Sequence, residues 1–207
     1  MAKKQKANQG RRRKSSAKDV LAGRNILLGV TGGIAAYKAA VLASMLVRRG
    51  AQVRTIMTEP ATRFVGPITF QALTRQPVYL DMWAATESYR SDHIGMADWT
   101  DACVIAPATA DVIGRIAAGL ADDLLTTTVL ALQAPVLLAP AMNTRMWAKP
   151  AVQDNVAKIE AWGYHLVGPA EGRLACGDTG PGRMSEPEEI IEALEGMLAG
   201  VGPRKRT

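Results

Sequence analysis

The chain has 207 residues, 48% of them apolar and 5% aromatic, enough to bury one sizeable core. Its two cysteines, Cys103 and Cys176, lie far apart and form no CxxC pair, which argues against a disulfide framework or a zinc knuckle and fits a reducing, cytoplasmic setting. The net charge of +6 belongs to the ends: residues 1–24 hold nine Lys/Arg against one Asp, Arg204-Lys205-Arg206 add three cations, and residues 25–203 carry −5.

Residues 1–24 and 200–207 read as solvated, disordered basic tails. Such runs attract nucleic-acid or membrane-surface phosphates weakly through charge alone. No aromatic side chains interleave the run to stack on bases. Arg11-Arg12-Arg13-Lys14 looks like a twin-arginine signal, but Ser15, Ser16, Lys18 and Asp19 stand where an apolar stretch should begin. No apolar run reaches the roughly 18 residues of a membrane span.

Ordered structure is expected from about Asn25. Ile26 to Thr31 is a short apolar run that ends in Gly32-Gly33, and Ile34 to Arg49 has a helical pattern closed by Gly50, the opening of a βαβ unit. A second strand is expected over Val53–Met57, a short helix over Ile68–Leu73 and a polar surface loop over Ala84–Arg90. A buried strand over Asp101–Ala106 should end at Pro107, followed by helices over Ala110–Ala118 and Asp122–Leu132. Pro135–Ala139 is a further buried strand ending at Pro140. Then come a helix over Val152–Trp162, a short strand over Tyr164–Val167, a glycine-dense loop from Gly168 to Gly182 and a last helix from Pro187 to Leu198. Alternating strands and helices predict an α/β fold: one doubly wound, Rossmann-like parallel sheet over residues 25–199.

Ligands of such sheets bind beyond the carboxyl ends of the strands. The unusual residues collect there: Thr31-Gly32-Gly33, Thr58, Pro107-Ala108-Thr109 and Pro140-Ala141-Met142-Asn143. Gly32 and Gly33 suit an anion facing backbone amides, or merely a tight turn. Thr58 and Thr109 suit phosphate donors, or helix N-caps. Asn143 can donate to a carboxylate or amide oxygen, or cap the next helix. Neither GxGxxG nor a Walker lysine motif is present, against NAD and nucleoside triphosphates. Cys103 sits in an apolar strand and reads as core. Cys176, among glycines and a proline, reads as a thiol on a mobile flap. With two histidines, His93 and His165, and no paired ligands, triad and zinc chemistry find little support.

Six strings, in this order, resemble the homo-oligomeric flavin-containing cysteine decarboxylases over residues 23–199. They are Gly29-Val30-Thr31-Gly32-Gly33-Ile34-Ala35-Ala36-Tyr37-Lys38, His93-Ile94, Ala106-Pro107-Ala108-Thr109-Ala110-Asp111, Ala118 to Leu125, Pro140-Ala141-Met142-Asn143 and Ala175-Cys176 through Arg183-Met184. The nearest likeness is to the bacterial phosphopantothenoylcysteine decarboxylase branch. That resemblance implies FMN as cofactor, phosphopantothenoylcysteine as substrate, a role in coenzyme A synthesis and a homotrimer or an assembly of trimers. It implies His93 as a base placed where one subunit meets the flavin of another. Asn143, with Ala141 and Met142, would bind the substrate carboxylate or the neighbouring amide, and Cys176 would be the late proton donor. Gly32, Gly33, Ile34, Thr58, Ala108, Thr109, Ala110 and Asp111 would hold FMN, with Asp111 standing where other branches have Asn. The implied chemistry is oxidation of the substrate thiol to a thioaldehyde, loss of carbon dioxide to give an enethiol, and re-reduction within the same turnover. The bacterial enzyme is often fused to a C-terminal ligase, so a chain stopping at Thr207 would be a stand-alone decarboxylase or that domain alone. A decarboxylase of cysteine-ended peptides and a non-catalytic regulatory flavoprotein are the alternatives. A flavin prenyltransferase is disfavoured by Asn143 and Cys176.

Overall fold

The computed structural model describes residues 19–83, 92–175 and 177–200. Its centre is β1 (Asn25–Val30), every residue of which is buried. An unbroken apolar strand of this kind needs cover on both faces, as a parallel sheet with helices above and below provides. In chain order there follow α1 (Ala36–Arg48), β2 (Gln52–Met57), a 3-10 turn over Glu59–Arg63, α2 (Pro67–Thr74), β3 (Val78–Tyr79) and α3 (Asp92–Trp99). Next come β4 (Ala102–Ala108), α4 (Ala110–Ala118), α5 (Leu124–Ala131), β5 (Val136–Pro140), α6 (Thr144–Trp147) and α7 (Pro150–Ala161). The chain closes with β6 (His165–Leu166), β7 (Ala170–Arg173), β8 (Thr179–Arg183) and α8 (Pro187–Leu198).

The six-stranded sheet has the order β3-β2-β1-β4-β5-β6, all parallel. This is the doubly wound order, reversing direction between β1 and β4. Side chains alternate across β1: Ile26, Leu28 and Val30 meet α1, α2 and α8 on one face, while Leu27 meets α3, α4, α5 and α7 on the other. Gly29 leaves space for Leu125 of α5, since a Cβ there would stand 2.7 Å from Leu125 Cδ1. Burying a side chain of that size contributes about 1.5–3 kcal/mol. At the amino ends of the strands, Asn25 N–H donates to Asp101 Oδ2 at 2.8 Å and Asn25 Nδ2 donates to the Trp99 carbonyl at 2.8 Å. The edge opposite the strand exits is thereby closed.

Several boundaries differ from the sequence reading. Residues 19–24 are packed on the body: Leu21 is fully buried, and the Arg49 guanidinium pairs with the Asp19 carboxylate. β4 runs through Pro107 to Ala108. Its pairing with β5 shifts register between Ile105 and Ala108, which relieves the proline of a ladder donor it cannot supply. The short edge strand β3 and the 3-10 turn had no signal. The expected loop from Gly168 to Gly182 contains an antiparallel hairpin, β7–β8, pairing Gly172 with Gly180. Glycines at alternate positions mimic a loop in composition while sitting in a strand. The expected surface loop over 84–90 lies outside the described residues. Among the described residues, no helix is long and apolar enough to cross a membrane.

Candidate active site

After β1 the chain turns to one face of the sheet, and after β4 to the other, which opens a crevice at their exits. Thr31, the first residue beyond β1, ties the two exits together. Its hydroxyl donates to the Pro107 carbonyl at 2.7 Å and accepts from Thr109 N–H at 3.3 Å.

The two glycines that follow are glycine for different reasons. A Cβ on Gly32 would stand 2.5 Å from Pro60 Cβ and 3.0 Å from the Pro60 carbonyl carbon, so the close approach of this rigid proline excludes a side chain. A Cβ on Gly33 would find its nearest neighbour, Thr109 Cγ2, at an ordinary 3.6 Å. The protein leaves that space open at the mouth of α1, a helix whose N-terminus has no side-chain cap. The threonines separate in the same way. Thr109 caps α4, accepting from Val112 N–H, whereas Thr58 makes no side-chain cap for the turn it precedes.

These residues line one wall of a cavity of about 1190 Å³. Pockets for a single small molecule run to roughly 300–1,000 Å³, so a cofactor and a second ligand both find room. Gly32, Gly33, Ile34, Thr58, Thr109, Ala110, Asp111, Ala141, Met142 and Asn143 all face it. Ala108 is fully buried behind the wall and does not. Asp111 pairs with Arg115 at 3.2 Å, and Arg115 also pairs with Asp122 at 2.8 Å, so the carboxylate at position 111 is turned along its own helix.

At the β5 exit, Asn143 does cap α6: its Oδ1 accepts from Arg145 N–H at 2.8 Å. That bond fixes the amide, and Nδ2 donates to Asp178 Oδ2 at 3.0 Å. The cap and the donor are two ends of one side chain.

The opposite wall is the β7–β8 hairpin, which brings Arg173, Leu174, Ala175, Gly182 and Arg183 to the cavity. Met142 N–H donates to the Gly182 carbonyl at 2.9 Å. A Cβ on Gly182 would fall 2.3 Å from the Met142 carbonyl oxygen, and one on Gly180 2.9 Å from Thr144 Cγ2. Much of the glycine content of this stretch therefore seats β8 directly on the 142–144 segment. Cys176 lies outside the described residues, between Ala175 and Gly177. Cys103 is wholly buried in β4, and burial pushes its thiol up to about 12, which leaves it un-ionised and inert. His93 is the second residue of α3; among the described residues it does not line the cavity and its buried Nδ1 has no hydrogen-bond partner. His165 stands exposed in β6.

Sequence reasoning passed over Lys38. This lysine is 8% exposed and its ammonium donates to Glu186 Oε1 at 2.9 Å and to the Met184 carbonyl at 3.1 Å. A signal existed: a cation in the first turn of a helix opposes the helix dipole and needs a partner. Arg115, Arg173 and Arg183 carried no such mark.

The chain is 53% identical over 180 residues to the coenzyme A biosynthesis bifunctional protein CoaBC of Bacillus subtilis (strain 168), covering 87% of this chain and 44% of the relative. It is 49% identical over 179 residues to the protein of the same name from Vibrio cholerae, covering 86% and 45%. The chain thus spans less than half the length of these relatives. Among solved structures it is similar to a mutant PPC decarboxylase complexed with pantothenoylaminoethenethiol, at 32% identity and a TM-score of 0.78, covering 86% of this chain and 100% of that one. The FMN-dependent cysteine decarboxylase SpaF matches at 34% identity and a TM-score of 0.73, covering 86% and 97%. A family model described as Flavoprotein matches residues 14–199, and the chain belongs to that family.

Proposed function

We propose that this chain is an FMN-dependent decarboxylase that converts phosphopantothenoylcysteine to phosphopantetheine in coenzyme A synthesis. The observation that carries the reading is one cavity that joins an open glycine cradle at Gly33 to an oriented amide donor at Asn143. The cradle fits the cofactor. Gly32-Gly33-Ile34, Thr58 and Thr109-Ala110-Asp111 would hold its phosphate and ring edge, and one anion pocket at a helix N-terminus suits a mononucleotide. When bound, FMN would supply a reversible two-electron acceptor for the substrate thiol, so no external redox partner would be needed.

The protein's own residues orient the substrate and move protons. Asn143 Nδ2 binds the substrate carboxylate and places the scissile bond. Apolar side chains of Ile34, Met142, Met146 and Met184 keep water from the reacting carbons. Cys176 Sγ delivers the proton that takes the place of carbon dioxide on carbon. His93 acts as the base from a neighbouring subunit of a homotrimer. Its absence, among the described residues, from the lining of its own chain's cavity supports that placement. The reaction belongs to the cytoplasm, where thiols stay reduced.

The test has two parts. Mass spectrometry of the cofactor released from the yellow protein should find FMN; FAD, or no flavin, sinks the reading. Carbon dioxide release should be faster from phosphopantothenoylcysteine than from a cysteine-ended peptide. The reverse order transfers the assignment to a decarboxylase of cysteine-ended peptides. Light scattering tests the trimer, and a monomer that retains flavin tightly counts against it.

A further inference from the structure

We propose that Asp178 is a specificity-determining residue, an internal carboxylate that occupies the Asn143 amide and is displaced by the carboxylate of the substrate. This rests on the reading of Asn143 as the substrate's carboxylate donor.

Three observations carry it. Asn143 Oδ1 is engaged by Arg145 N–H at 2.8 Å, so the amide cannot turn, and its nitrogen is committed to the side that meets Asp178. The Asp178 carboxylate sits on that nitrogen at 3.0 Å, offering it the same chemical group that a cysteine-derived substrate carries. Finally, the hairpin has seats besides this bond. Its base is fixed by the Met142–Gly182 hydrogen bond and by the close approach of Gly180 and Gly182 to residues 142–144, and its tip is closed by Leu174 N–H donating to the Asp178 carbonyl at 2.8 Å. The Asp178 carboxylate is thus one contact among several at the hairpin, and it is the one placed on the substrate's donor.

Two carboxylates at one donor repel, and each disfavours the charged form of the other. Arg145 is 82% exposed and stands 3.7 Å from Asp178 Oδ2, too solvated to neutralise a second anion. A substrate carboxylate therefore takes the amide by moving Asp178 off it. Once that carboxylate has left as carbon dioxide, Asp178 returns to the amide. A ligand without the carboxylate leaves the internal pair intact.

The experiment measures binding to the flavin-loaded protein by calorimetry, with two probes that cannot be oxidised at sulphur: the S-methyl ethers of phosphopantothenoylcysteine and of phosphopantetheine. Asp178→Ala should tighten the carboxylate-bearing probe about tenfold, the order of one hydrogen bond to a charged group, and leave the carboxylate-free probe within about twofold. Asp178→Asn, which keeps an acceptor without the charge, should fall between parent and alanine. Weaker binding of the carboxylate probe in Asp178→Ala overturns the inference, because Asp178 would then be orienting the amide. An equal change for both probes also overturns it, because the residue would then be holding the hairpin. If the parent itself fails to distinguish the probes, or binds neither, the reading of Asn143 fails and takes this one with it.

Discussion

The two walls of the cavity face each other and are built by opposite means. The wall at the β1 and β4 exits grows out of strands that are buried along their whole length, and Thr31 bolts the exits together. The hairpin wall is two short, partly exposed strands, and a few close contacts of β8 to residues 142–144 hold it in place. The first wall inherits its geometry from the core, so a change there is resisted by the whole sheet. The second has its position set locally, so one methyl group can unseat it.

Gly182→Ala is the sharpest way to break that contrast. The added Cβ would lie 2.3 Å from the Met142 carbonyl oxygen, and the residue holds φ of +148°, a conformation side chains rarely adopt. The hairpin must lift from Asn143. A misplacement of about 1 Å at a site costs on the order of 10²-fold in rate. We expect turnover to fall by about that factor while flavin content stays at the parent level, since the cofactor rests on the other wall. Parallel loss of flavin and turnover would show that the walls are not independent.

A pair of alanines separates packing from ligand space within the rigid wall. Gly32→Ala drives a Cβ into Pro60 and should destabilise the cofactor-free protein by about 1–3 kcal/mol in urea. Gly33→Ala meets only an ordinary contact and should leave that stability within about 0.5 kcal/mol. Both should lose flavin. Flavin retention in Gly33→Ala would mean that the open space at position 33 is not the cradle.

Asn143 offers a smaller, divided effect. Asn143→Ala removes the α6 cap and should cost about 0.5–2 kcal/mol of stability. Asn143→Asp keeps an acceptor for Arg145 N–H but puts a negative charge at the amide position. The cap then survives, but the new carboxylate faces Asp178. Part of the stability should therefore be lost at neutral pH and return as the pair takes up a proton, while turnover of a carboxylate substrate falls as far as in the alanine variant. Equal turnover in Asn143→Asp and the parent would remove Asn143 from substrate binding.

The rigid wall was the more legible in sequence, and the reason is physical. Buried parallel strands write themselves as apolar runs, so β1, β4 and β5 were found, and the residues at their exits marked the crevice. The 3.6-residue pattern likewise placed the last helix at Pro187–Leu198, as observed. The hairpin wall left no such record. Residues 170–173 and 179–183 lack alternating apolar residues because β7–β8 does not face the core, and their glycines answer to a neighbouring backbone that local pattern cannot reveal. The same limit explains Asn143, where cap and donor were weighed as alternatives although one amide caps α6 through Oδ1 and donates to Asp178 through Nδ2. It also explains Lys38, whose partners lie 146 and 148 residues along the chain.

Lys38 joins the two walls, and its effect should be the smallest and the most specific in pH. It stands in α1, beside the glycine cradle, and reaches the Met184 carbonyl and Glu186 just beyond the hairpin. The hydrogen bond from Lys38 holds the Glu186 carboxyl below its ordinary 4.5, with a further contribution from the charge of Lys38 and then of Arg183. A carboxyl whose folded value is depressed adds stability that is fully present above its unfolded value and is lost as pH falls through the folded one. The pair therefore contributes at neutral pH and fades in acid, below 4.5. Because the Glu186 side chain is 44% exposed, water screens the interaction, and about 1 kcal/mol is an upper bound. Glu186→Gln keeps the size and an acceptor oxygen but not the charge. Urea unfolding between pH 7 and pH 3 should show a parent-to-variant gap of at most about 1 kcal/mol at pH 7. That gap should close as Glu186 takes up its proton. A gap that persists unchanged into acid would assign the loss to the shape of the Glu186 contact, and the tie between the walls would then be steric rather than electrostatic.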